Sequence, residues 1–107
     1  MVKTQKPVTV TKVVDDRAIV RCTAGQAILR EEVWQDSKGD LVKYNLALIN
    51  HMLYSGDNGR VLGYDNAHGS HHRHYCGTKT SIRFTDYTKL LKRFLQEVEK
   101  LKKDGRL

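Results

Sequence analysis

A change of hydrophobic period constrains this chain more than any other feature. Through the first half apolar and polar side chains tend to alternate. From Tyr87 onward Leu90, Leu91, Phe94, Leu95, Val98 and Leu101 recur at i, i+3, i+4 and i+7. A period of two lines one face of a strand, and a period near 3.6 lines one stripe of a helix. The sequence therefore predicts an α+β fold, an antiparallel β-meander packed by a C-terminal amphipathic α-helix. The sheet is expected over about residues 7–84 and the helix over about 86–103. With 107 residues, both must share one core, so residues 1–107 are expected to form a single domain.

Turn residues divide the meander. Asp15-Asp16 separates two β-prone runs at hairpin spacing, Gly25 marks the next reversal, and Asp36 to Asp40 reads as a further turn. The longest run, Leu41 to Tyr54, collects Val42, Tyr44, Leu46, Leu48, Met52 and Tyr54 on one face and reads as the central strand, with His51 on its polar face. Arg60 to Tyr64 reads as a shorter strand whose end delivers Asp65 and Asn66. Thr85 or Asp86 can cap the helix, and Gly105 follows its basic end. The lysines on its outer surface read as a solvated face.

Charge narrows the partners. Nineteen Lys and Arg stand against twelve Asp and Glu, a formal net charge of +7, which favours polyanions such as nucleic acid, although an acidic protein would satisfy the same charge. From Arg60 to Arg83 the basic residues Arg60, Arg73, Lys79 and Arg83 face Asp65 alone. No stretch reaches the roughly 20 apolar residues that span a bilayer, and the start lacks a secretory signal, so a cytoplasmic protein with no membrane contact is expected. Cys22 and Cys76 are expected to remain thiols, as small buried side chains rather than nucleophiles.

Four of the five histidines, His68, His71, His72 and His74, fall within seven residues. Histidine titrates near neutrality, so a pair can act as base and acid in phosphodiester transfer without a metal. In an extended run His72, His74 and Cys76 project to one side and His71, Arg73 and Tyr75 to the other. One histidine would take a proton from a ribose 2′-hydroxyl and the other would protonate the departing 5′ oxygen. Arg73, Arg60, Lys79 or Arg83 would hold the phosphate, and Asp65 would orient a ring. Asn66 would do similar work or occupy a turn. The same histidines with Asp65 and Cys76 are also metal-ligand types, although their spacing matches no closed zinc pattern. Exposed loop histidines without a role remain the third reading.

Four pieces carry a family resemblance: Lys43-Tyr44-Asn45-Leu46-Ala47-Leu48-Ile49, Val61-Leu62-Gly63-Tyr64-Asp65-Asn66, His72-Arg73-His74 and Arg83-Phe84-Thr85-Asp86. In this order and spacing they resemble the TumE-like toxins of bacterial toxin–antitoxin pairs, from about Lys43 to Leu101. The residues before them match only as generic strands. The resemblance implies a small toxin encoded beside a helix-turn-helix antitoxin, with growth inhibited when the antitoxin is lost. It carries over Asp65, Asn66, His72, Arg73 and His74 as functional and leaves His68 and His71 outside the pattern.

Three functions follow in order: a metal-independent ribonuclease, a metal-dependent nuclease, and a non-catalytic basic module. The first places His72, His74, Asp65 and Asn66 in the catalytic site and Arg73, Arg60, Lys79 and Arg83 on the nucleic acid, with no cofactor. The antitoxin and RNA are the expected partners, and a homodimer stays open.

Overall fold

The computed structural model describes residues 8–23 and 25–107. Met1 to Lys6, read above for a signal, and Pro7, the expected start of the sheet, lie outside the described residues. Six strands, β1 (Val10–Cys22), β2 (Gly25–Asp36), β3 (Leu41–Ile49), β4 (Arg60–Asp65), β5 (His72–Tyr75) and β6 (Thr78–Ser81), precede one helix, α1 (Tyr87–Lys103). They form a single antiparallel sheet in the order β1-β2-β3-β4-β5-β6. This is the α+β meander with a C-terminal helix that the two periods predict.

Two boundaries differ from the sequence reading. Asp15-Asp16 does not turn; both residues sit inside β1, opposite Glu32 and Glu31. Neither dipeptide position is a glycine, and the acidic pairing is relieved where Lys12 Nζ lies 3.1 Å from Asp15 and 2.7 Å from Glu32. The chain reverses instead just before Gly25, whose φ of +98° suits a residue without a Cβ. The run Leu41 to Tyr54 also ends early, at Ile49. Buried Asn50 accepts from the Met52 amide through its side chain and from Leu53 and Tyr54 through its carbonyl, which curls the chain. Met52 and His51 are consequently exposed in a turn rather than paired in a strand.

Other local signals act as expected. Asp36 Oδ1 accepts from the Lys38 and Asp40 amides and closes the turn after β2. Asp86 caps α1 by accepting from the Lys89 amide, a contact of about 1 kcal/mol. Gly105, at φ +68°, ends the helix, and the Arg106 amide returns to the Leu101 carbonyl. Leu107 is thereby folded into the core, 1% exposed.

The pleat then sorts β3 and β4 into two faces. Tyr44, Leu46, Leu48, Leu62 and Tyr64 pack beneath Leu90, Phe94 and Val98 of α1. Burying side chains of this size stabilises by roughly 1.5–3 kcal/mol each. The alternate positions Asn45, Ala47, Gly63 and Asp65 lie on the other face, called the open face below, which carries no helix. No helix among the described residues is long and apolar enough to cross a membrane.

Candidate active site on the open face

The register sets the site. Asp65 is opposite Asn45 on one side and His72 on the other, Gly63 is opposite His74, and β6 adds Ser81 beside His72 and Lys79 beside His74. His72, His74, Asp65 and Lys79 therefore share the open face. The rings of His72 and His74 are 6.3 Å apart between centroids and tilted by 57°.

Asp65 is the hub. Its Oδ2 accepts from Arg60 Nη1 at 2.9 Å and its Oδ1 from the Ala67 amide at 3.2 Å. Arg60 is also held by Asp57, with Nε 2.7 Å from Oδ2. This crossing of β4 depends on Gly63: a Cβ there would sit 2.5 Å from Arg60 Cδ and 2.9 Å from the Leu46 carbonyl. Burial alone would raise the Asp65 pKa, but the Arg60 hydrogen bond, the Ala67 amide and nearby positive charge outweigh it and hold the carboxylate below its ordinary value.

His74 Nε2 lies 3.0 Å from Asp65 Oδ2, near enough for an ion pair but off the hydrogen-bonding line. Burial first, and then the Arg60 charge, pull the His74 pKa below its ordinary value against the opposing pull of Asp65. Arg60 is thus the cation bonded to Asp65, and burial favours the neutral form of the His74 ring. Among the described residues, His72 Nδ1, His74 Nε2 and Arg30 Nε are buried with no hydrogen-bond partner. Buried polar atoms are ordinarily satisfied, so these nitrogens stand out from the rest of the fold.

A second carboxylate tiles the same face. Glu32, 6% exposed, receives Lys12 at 2.7 Å and the Asn45 amide at 3.0 Å, with Arg30 Nε at 3.1 Å. To one side of the Glu32–Asn45–Asp65 row a cavity of about 210 Å³ is lined by Arg30, Asn45, Ala47, Ile49, Asp57, Asn58 and Arg60.

The other sequence-derived candidates lie elsewhere. Arg73 projects to the helix side, where its Nε donates to Glu97 Oε2 at 3.0 Å; Tyr64 also donates to Glu97. Arg83 lines a groove beside Arg73, Arg93 and Glu97 on that side. Asn66 is engaged in the backbone of β3: its Oδ1 accepts from the Tyr44 amide and its Nδ2 donates to the Val42 carbonyl, both at 3.0 Å. His71 stacks on Phe84 at 4.2 Å and meets the Tyr44 hydroxyl at 2.8 Å through Nδ1. His68 is exposed in a turn at φ +61°, so the four clustered histidines do not converge. Among the described residues no three His, Cys, Asp or Glu side chains gather as metal ligands would.

Cys22 and Cys76 are free thiols, and Cys76 is exposed rather than buried. It occupies the two-residue turn with Gly77 between β5 and β6, with φ values of +43° and +84°. Sequence reasoning missed Glu97, the acceptor that occupies Arg73, and Glu32 with Asn45. A signal existed only for Gly63, since a glycine inside a strand pattern marks close approach of another group.

A family model described as Toxin TumE matches residues 4–102. No curated protein and no solved structure matches the chain.

Proposed function

The chain belongs to the TumE toxin family, and from that premise we propose that it is the toxin of a bacterial toxin–antitoxin pair that cleaves RNA in the cytoplasm through His72 and His74. The observation that carries the reading is one face bearing two imidazoles 6.3 Å apart, each with an unpartnered buried ring nitrogen. For the reaction both rings must turn a nitrogen out to a phosphodiester lying over this face, because a general acid or base works at roughly 2.6–3.2 Å from the atom it serves.

His74, kept neutral, takes the proton of the ribose 2′-hydroxyl. The 2′ oxygen then bonds to phosphorus and the bond to the 5′ oxygen breaks, leaving a 2′,3′-cyclic phosphate. His72 gives a proton to the departing 5′ oxygen. Lys79, exposed opposite His74, neutralises the phosphate, while Arg60 and Asp65 fix the position of His74. Asn66 supports the site from the β3 backbone. Arg73, committed to Glu97, and Arg83 contribute positive charge on the helix side, which suits RNA running beyond the cleavage point. The family implies an antitoxin, and a helix-turn-helix protein with an acidic surface over Arg60 to Arg83 would silence the toxin by covering these groups.

The test uses purified protein and RNA in chelator. Fragments ending in cyclic phosphate, absent when the 2′-hydroxyl is methylated and absent for DNA, support the reading. Activity lost in chelator and restored by zinc or manganese selects a metal-dependent nuclease. RNA binding that weakens with salt, with no cleavage under any condition, leaves a binding module.

A further inference from the structure

The two edges of the sheet are built differently. β6 is a polar edge of four residues that includes Lys79, the short, charged kind that discourages strand pairing. β1 has 13 residues, and among the described residues no strand pairs on its outer side. Its register against β2 shifts once, between Lys12 and Val14, and is then unbroken from Val14 to Cys22. Ile19, in the middle of this regular stretch, is 67% exposed. Alternate residues of an antiparallel edge direct their N–H and C=O groups outward, so the stretch is a ready template for another strand.

We propose that β1 is a homodimer interface, in which Val14–Cys22 pairs antiparallel with the same segment of a second copy about a two-fold axis at Ala18. A two-fold interface must be complementary to itself. Opposed residues in such a pair share a face, so the axis must pass through a residue position, and charge together with use of the whole regular stretch decides which. An axis at Asp16 or at Arg17 sets that residue against its own copy. An axis at Ile19 sets Arg17 against Arg21.

At Ala18 the pairs become Arg17 with Ile19, Asp16 with Val20, Asp15 with Arg21 and Val14 with Cys22, each formed twice. No like charges then face each other, two Asp15–Arg21 pairs form, and every regular residue of the edge is used while the bulge stays outside. The dimer is a continuous twelve-stranded sheet with both open faces on one side. This inference stands apart from the nuclease reading, because β1 contains none of the groups assigned to chemistry.

Sedimentation of the purified full-length chain tests it. A dimer is expected, weakened about tenfold in Kd by Asp15→Arg or by Arg21→Asp and restored when both are combined. A chain that stays monomeric at about 100 μM, or a dimer indifferent to both substitutions, overturns the proposal. If the charge variants fail to fold, Ala18→Cys in a Cys22→Ser, Cys76→Ser background should cross-link to its own copy on mild oxidation, since opposed Cα atoms in such a pair are about 4.5–5.5 Å apart and within disulfide reach. Absence of that cross-link overturns the proposal as well. So does hydrogen exchange in which β1 amides are protected only when antitoxin is bound, because the edge would then belong to the antitoxin.

Discussion

Arg73 and His74 are consecutive residues of β5 with opposite surroundings. Arg73 is drawn under the helix, where Glu97 accepts from it and Tyr64 shares the same carboxylate; the burial and the Glu97 bond raise the Tyr64 pKa to about 12. His74 lies opposite Gly63 on the open face, beside an Asp65 already balanced by Arg60, with its Nε2 unsatisfied. One residue has completed its bonds inside the protein and the other has not. The basic segment Arg60 to Arg83 is therefore two surfaces rather than one. On the helix side its charge holds the fold together, and on the open face two imidazole nitrogens are left without a hydrogen-bond partner.

Substitutions on the helix side should damage stability most. Phe94→Ala removes the largest side chain that α1 places in the core, 1% exposed, and should lower stability by about 3–5 kcal/mol. That is a large part of the ~5–15 kcal/mol typical of a domain. Thermal unfolding checks it; a small shift would mean that the helix is not the lid of the core, and the contrast between the faces would lose its basis. A smaller loss is expected on the open face from Gly63→Ala, on the order of 1–3 kcal/mol, because the new Cβ must displace the Arg60 stem and press on the Leu46 carbonyl. Toxicity should fall further than stability does, since Asp65 loses its main partner. A fully toxic Gly63→Ala protein would remove Arg60 from the account.

The smallest effect is in pH. Burial lowers the pKa of His71 on the helix side and of His74 on the open face. Between those lowered values and the ordinary 6.5, the unfolded chain binds more protons than the folded one. Stability from both groups is therefore complete above pH 6.5 and declines as pH falls below it. His71→Phe keeps the stack on Phe84 and removes one of the two groups, so its melting temperature should fall less than that of the parent protein between about pH 7 and pH 5. An unchanged slope would show that His71 is not protected from protonation in the native state.

Much of this arrangement is legible in residue order, where local rules decide. The helical stripe from Tyr87, the Asp86 cap, the Asp36 turn and the alternation that puts His72 and His74 together depend on neighbours within a few positions. The failures arise where distant partners decide. Asp15-Asp16 reads as a turn until Lys12 is seen folding across to Glu32 and Asp15. Arg73 reads as a free phosphate clamp because Glu97 is 24 residues away, on a helix rich in lysine. Asn66 stands at the end of β4, yet its amide completes the backbone bonding of β3, a role that only the strand order discloses.

The separation of the two faces is tested most directly by comparing His74→Ala with Arg73→Met in one growth-arrest assay, each protein also melted. His74→Ala should abolish toxicity, with an RNA-cleavage rate down on the order of 100- to 10,000-fold, while melting near the parent temperature. Arg73→Met should melt lower and still arrest growth. A toxic His74→Ala protein beside a stable but inactive Arg73→Met protein would contradict the account and move the site to the helix side.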